Sequence, residues 1–195
     1  MPNWTNNTLT LSHKDKTMIE RAAKAWNDGT LLNEFVPIPT ELTETEASFS
    51  DENAEKNKAN IEKYGYASWY DFAVNEWGTK WDISPYGSNV SDDGLSITGS
   101  FDTAWAPPTE AYRKLEELGF EVDALYYEPG CAFCGAYSEG YDETYEIPGT
   151  SDEVDEEIPS RINEEFAIAE SMRDYESENE EDDDTPYDFG QSNLV

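Results

Sequence analysis

Apolar and polar positions change their period several times along the first 140 residues, and each change marks an element. Residues 4–11 are rich in threonine and end in alternating apolar positions, which predicts a strand. Met18, Ile19, Ala22, Ala23 and Trp26 then recur at helical spacing. They lie between Ser12, a candidate N-cap with Asp15 three residues on, and Gly29 just past the helix end. Residues 31–40 are apolar but broken by Pro37 and Pro39, so an extended edge segment or loop is expected. Residues 41–63 are polar and mixed in charge, and Trp69, Phe72 and Ala73 mark a further helix, giving a helical insertion over about 41–76. A short strand is predicted at 81–83. Past the turn signal Ser91-Asp92-Asp93-Gly94, Leu95, Ile97, Gly99 and Phe101 alternate with polar residues as a half-buried strand. Pro107 and Pro108 introduce a helix bearing Tyr112, Leu115 and Leu118, closed by Gly119. Phe120, Val122, Ala124 and Tyr126 predict a strand. After the turn at Pro129-Gly130, Cys131, Phe133, Gly135 and Tyr137 predict its antiparallel partner.

The resulting order is β-α-insertion-β-β-α-β-β. It predicts an α+β fold of the ferredoxin-like split βαβ type, with an antiparallel sheet, over residues 1–150. Beyond it, residues 151–175 read as an acidic amphipathic helix. Ser160 can cap it, Ile162, Phe166, Ala169 and Met172 or Arg173 share one side, and Glu164, Glu165, Glu170 and Asp174 line the others. Residues 176–195 are expected to be a disordered acidic tail, because Glu176 to Asp184 is nearly continuous acid.

Charge narrows the function classes. The 195 residues carry 12 Lys and Arg against 44 Asp and Glu, a net charge of −32, with −15 of it on the last 45 residues. Binding through phosphates needs a cationic face that releases counterions. Nucleic acid and anionic membranes are therefore excluded as direct partners, whereas proteins that bind nucleic acid remain candidates. No apolar run approaches a membrane span and no secretion signal is evident, so a soluble cytoplasmic protein is expected. The two cysteines, Cys131 and Cys134, are too few for a disulfide framework.

Candidate chemistry is sparse. Trp77-Gly78-Thr79-Lys80-Trp81-Asp82 sets one cation between two indoles, and Trp105 follows. Trp77, Lys80, Trp81 and Trp105 could form a pocket in which a base stacks on indole while Lys80 holds an anion. They could equally fill a core, with Lys80 paired to Asp82 or Asp102. Cys131 and Cys134 have thiol-redox spacing, but a strand context puts them on opposite faces. Zinc would need two further ligands, and His13 is the only histidine. His13 lacks a partner nucleophile and is expected near solvent at a helix start. No EF-hand or P-loop is present, and neither a cofactor, a metal nor catalysis is expected.

Four stretches carry a likeness. They are residues 2–9 (PNWTNNTL), 75–82 (NEWGTKWD), 101–108 (FDTAWAPP) and 127–130 (YEPG) with Phe133 and Gly135. This pattern resembles the phage- and plasmid-borne family of small proteins with an Api-like (YubB-like) domain, over residues 1–140. The resemblance implies a ferredoxin-like fold and a mobile-element origin, and it carries over no catalytic residue. The acidic tail is not part of it.

The function expected from the sequence is binding without catalysis. Fixed carboxylates would mimic a polynucleotide and inhibit a host defence or nucleic-acid-binding protein through its basic surface. The contact residues expected are Glu153, Asp155, Glu156, Glu157, Glu164, Glu165, Glu170, Glu180, Glu181, Asp182, Asp183 and Asp184. Ile162, Phe166 and Tyr175 would serve as apolar anchors. The alternative is a nucleotide or small-molecule sponge built on the Trp77, Lys80, Trp81 and Trp105 pocket.

Overall fold

A computed structural model describes residues 3–45 and 54–183. The chain divides into two units, Met1–Glu146 and Ile147–Val195. The first is an α+β unit on a six-stranded, wholly antiparallel sheet of order β2 (Ser84–Val90), β3 (Ser96–Ala104), β1 (Trp4–Ser12), β4 (Glu121–Glu128), β5 (Phe133–Ser138), β6 (Tyr141–Glu146).

Strand β1 (Trp4–Ser12) is paired along both edges, and its alternation reflects burial of one face. Thr5, Asn7, Leu9 and Leu11 are buried, while Asn6, Thr8, Thr10 and Ser12 are half-buried. It pairs with β3 (Ser96–Ala104) on one side and β4 (Glu121–Glu128) on the other, setting Leu9 opposite both Gly99 and Ala124. Helices α1 (Lys16–Asn27) and α6 (Thr109–Glu117) pack on the face carrying Leu9 and Leu11. Ile19, Ala22, Trp26, Tyr112 and Leu115 join Ile97, Phe101, Val122 and Tyr137 in one core. The other face of the central strands is polar, with Asn6 Nδ2 donating to Asp102 at 2.7 Å and the hydroxyls of Thr10 and Thr98 2.9 Å apart. Gly99 is where α1 meets the sheet. A Cβ there would fall 2.8 Å from Trp26 Cζ2 and 2.2 Å from the Gly87 carbonyl oxygen, so the indole and the next strand occupy that space.

Several expectations are corrected. The N-cap of α1 is Asp15, whose carboxylate accepts from Thr17 N at 2.9 Å; Ser12 is the last residue of β1. Residues 31–35 form helix α2 (Leu31–Phe35), not an extended edge, with both leucines buried and the two prolines lying beyond the helix. Its donors are satisfied from far along the chain, as Asp82 accepts from Leu32 N at 2.9 Å and Asn33 N at 2.8 Å. The predicted strand at 81–83 is loop, and β2 (Ser84–Val90) begins just after it. The insertion holds α3 (Thr40–Thr43), α4 (Ala54–Tyr64), α5 (Trp69–Phe72) and a single π-helical turn, Ala73–Trp77. Cys131 sits in the turn before β5 (Phe133–Ser138), and a further strand, β6 (Tyr141–Glu146), follows.

Among its described residues the second unit contains three helices where one was expected. They are α7 (Ser151–Glu157), α8 (Ser160–Phe166) and α9 (Ile168–Asp183). Ser160 is the first residue of α8 rather than its cap, which is Pro159. Ala167, at φ 48°, separates α8 from α9. The backbone of α9 stays helical to Asp183, through residues whose acidity predicts disorder. Glutamate is a good helix former, and a start anchored by buried Ile168 and Ala169 supplies the nucleus that an isolated acidic run lacks. Residues 184–195, the rest of the expected disordered tail with Asp184 among them, lie outside the described residues. Among the described residues no helix is long and apolar enough to cross a membrane.

Candidate functional site

Two groups of side chains stand apart from the core, one in each unit.

In the second unit the carboxylates sit on a hydrogen-bonded frame. Thr150 caps α7, accepting from Glu153 N at 3.3 Å and donating to the Glu153 carboxylate at 2.9 Å. Glu176 on α9 accepts from both Ser151 N (2.9 Å) and Ser151 Oγ (2.6 Å), and these donors hold its pKa below the usual carboxylate range. Asp155 pairs with Arg173 and accepts from Asn163 Nδ2 at 2.9 Å; Asn163 Oδ1 in turn accepts from Ala169 N at 2.9 Å. Val154, Ile158, Ile162, Ile168 and Ala169 are buried.

The expected contact residues therefore divide. Glu153, Asp155, Glu156, Glu157, Glu164, Glu165 and Glu170 are exposed, as is Tyr175, at 70 %. Phe166 is half-buried. Ile162, at 1 % exposure, is core and no anchor for a partner. Glu180, Glu181, Asp182 and Asp183 fall on the last turns of α9. Glu170, Asp174 and Glu178, all exposed, recur every fourth residue. At 1.5 Å rise per residue they form a row of charges stepping about 6 Å.

In the first unit, Lys80 lies among aromatic rings. Its Nζ is 4.5 Å from the centroid of Trp81, 5.0 Å from that of Trp105 and 5.8 Å from that of Tyr70. Trp4 packs on Trp81 at 6.1 Å. The three tryptophans are each about two-fifths exposed: Trp4 41 %, Trp81 39 % and Trp105 42 %. No carboxylate pairs with Lys80 among the described residues; Asp82 is taken by α2 and by Ile83 N, and Asp102 by Asn6 and Tyr86.

The backbone places these rings. Trp4 opposes Ala104 across β1 and β3, and Trp105 N donates to the Asn3 carbonyl at 2.9 Å. Trp105 itself is at φ 70°, a left-handed conformation that costs a bulky residue about 1–3 kcal/mol and is held by its surroundings. Thr79 Oγ1 ties the Lys80 segment to the Ala104 carbonyl at 2.9 Å. Gly78, at φ 86°, ends the π-helical turn and separates Trp77 from the group. Trp77 is buried in the core, its indole N–H donating to the Val36 carbonyl at 2.9 Å, so it is not a ligand residue. The sequence reading missed Tyr70 and Trp4. Trp4 was signalled by the strand pairing that sets residues 4 and 104–105 side by side, whereas nothing local points to Tyr70.

The four stretches that carry the sequence resemblance meet at this end of β1. Asn3 and Trp4, Lys80 and Trp81, and Trp105 are in contact as above, and Asn3 Nδ2 donates to Cys131 Sγ at 3.4 Å just past Gly130. Beside them Glu128, 1 % exposed, accepts from Gly130 N at 3.0 Å and from Cys131 N.

The other candidates bring no reactive set together. Cys134 is buried, which pushes its thiol up to about 11, while Cys131 is exposed in the turn. His13 is half-buried against Phe120, ring centroids 4.9 Å apart, and its Nδ1 accepts from Asp15 N at 2.9 Å. Among the described residues no group of three or more His, Cys, Asp or Glu side chains is arranged to hold a metal ion.

No family model matches the chain. Nor does any curated protein. Among solved structures the chain is similar to the crystal structure of a protein api92 from Yersinia pseudotuberculosis. That likeness has a TM-score of 0.38 at 10 % identity, covering 76 % of this chain and 99 % of that one.

Proposed function

We propose that this is a non-catalytic binding protein whose acidic second unit occupies the nucleic-acid-binding surface of a cationic host protein. The observation carrying the reading is that the carboxylates are mounted on a braced helical frame. The Glu170, Asp174 and Glu178 row stands on a helix whose start is buried, and α7 is tied to α9 through Ser151 and Glu176. A fixed row of like charge attracts a basic groove by long-range steering and offers it a regular substitute for phosphates. The first unit is proposed to be ferredoxin-like, which the order β2-β3-β1-β4 and the antiparallel pairing support. Its kinship with the Api-like family rests on the four sequence stretches alone.

The test is capture from nuclease-treated host extract by the full chain across a salt series. A variant with Glu164, Glu165, Glu170 and Asp174 changed to amides runs in parallel. The reading expects a nucleic-acid-binding protein that is retained at low salt, lost by the variant and displaced by added DNA or RNA. Retention that ignores salt and the amide changes would end it.

A further inference from the structure

The group around Lys80 is built the wrong way round for an anion. Its ammonium rests over the faces of Trp81 and Trp105, where a base would have to stack, and Tyr70 closes a third side. Ring faces carry negative potential and prefer a cation within about 6 Å of the centroid. All three distances meet that limit.

The walls do not depend on Lys80 for their placement. Trp105 is fixed by its N–H bond to Asn3 and by Thr103 Oγ1 donating to the Ala106 carbonyl at 2.8 Å. Trp81 precedes Asp82, whose carboxylate is pinned by three backbone N–H groups, and Trp4 buttresses its ring. Tyr70 rides on α5, capped by Ser68, which accepts from Asp71 N at 3.3 Å. Lys80, half-buried, has no ion pair among the described residues and sits on a four-carbon stem that can swing aside.

We infer that Trp81, Trp105 and Tyr70 form a cation-accepting aromatic cage, plugged in the free protein by Lys80 and opened to a guanidinium from the partner. The choice of arginine rests on the reading of a basic partner given above. The chemistry agrees, because a guanidinium is planar, weakly hydrated and stacks on aromatic faces better than an ammonium. A chain of net charge −32 also draws cations, not anions, toward its surface. Because Lys80 competes from within the same molecule, the unmodified cage binds weakly and removal of the plug raises the apparent affinity.

The experiment titrates full-length protein with N-acetyl-arginine amide and follows the indole N–H signals by NMR at about 0.15 M salt, where the Debye length is about 8 Å. N-acetyl-citrulline amide, of the same shape without the charge, is the control. The cage predicts shifts confined to Trp81, Trp105 and their neighbour Trp4. It also predicts at least threefold tighter binding in both Lys80→Ala and Lys80→Gln, at least tenfold weaker response to citrulline, and loss in Trp81→Ala with partial recovery in Trp81→Phe. Equal response to citrulline, no tightening when Lys80 is removed, or survival of the signal in Trp81→Ala would each overturn it. The second-unit amide variant separates the two ideas. It must leave this titration unchanged even where capture of the partner fails, and a failed titration beside salt-dependent capture refutes the cage alone.

Discussion

Replacing Asp82 with alanine tests how distant residues build the first unit. Its Oδ1 accepts from Leu32 N (2.9 Å) and Ile83 N (2.8 Å), and its Oδ2 accepts from Asn33 N (2.8 Å). Leu32 and Asn33 are the second and third residues of α2, whose own N-cap, Thr30, makes no capping bond, its hydroxyl donating instead to the Ala25 carbonyl at 3.4 Å. Asp82 therefore caps that helix from outside it. Bonds to a charged acceptor contribute about 1.5–3 kcal/mol each, or roughly 4.5–9 kcal/mol for three. Against this stands desolvation of the half-buried carboxylate, a few kcal/mol. Desolvation is also the larger influence on its acidity, raising the pKa above the usual aspartate value although the three N–H donors oppose it. Bond gain less desolvation leaves about 2–3 kcal/mol, slightly above the cost of losing an ordinary cap. At about 2–4 °C per kcal/mol for a chain of this size, Asp82→Ala should melt about 4–12 °C lower. Urea unfolding followed by tryptophan fluorescence reads the change. Asp82→Asn, which keeps an acceptor oxygen, should lose less. The pH dependence has a fixed sign: with the folded pKa raised, the native state holds the extra proton. The stability difference between wild type and Asp82→Asn should therefore fall as pH rises from about 3.8 through the folded value, then level off. A loss below about 0.5 kcal/mol in Asp82→Ala would refute the capping role, and a difference that rises with pH in that window would refute the dominance of desolvation over the three N–H donors.

Three further outcomes are expected. Gly99→Ala drives a methyl against the Gly87 carbonyl and Trp26, and should cost about 1–3 kcal/mol or more, seen as a lower urea midpoint with a displaced Trp26 indole signal. Glu41 is held down at about 2, chiefly by its hydrogen bond from Lys63, so this pair's support is complete above the ordinary glutamate pKa and fades as pH falls toward 2. The gap between wild type and Lys63→Met should accordingly close between about pH 4.5 and 2, and a gap that widens there contradicts the pairing. Ile162→Ala removes a fully buried side chain from the second unit. It should cost about 2–5 kcal/mol there and lower helical circular dichroism, while the first unit's tryptophan signals stay in place.

How far the fold could be read from sequence depends on where each element's partners lie. Strands β1, β3 and β4 and helices α1 and α6 have one face on a shared core, so burial imprints a period that the residues display directly. Helix α2 displays none, since five residues are too few and its cap is Asp82, 49 residues beyond Asn33. At the sheet's two ends, β2 and β6 are almost wholly exposed, and nothing selects an alternation there. The α8–α9 break is a subtler case. Ile162, Phe166, Ala169 and Met172 keep helical spacing across it, and the break at Ala167 shows only in its left-handed backbone and in the Asn163 side chain accepting from Ala169 N.

The Lys80 group follows the same rule. Its residue types were visible as chemistry, but the sign of the ligand they suit was not. That sign depends on Trp105 being turned into the left-handed region and delivered by β3 to the face of a lysine 25 residues earlier. Trp77 and Trp81 look equivalent in sequence, yet one positive-φ glycine sends the first into the core and leaves the second as a wall. In a chain with 44 carboxylates, a lysine that rests on indole and pairs with none of the described acids has been kept from its cheapest partners by geometry. The rings that keep it there are therefore arranged for a positive charge, whichever molecule supplies it.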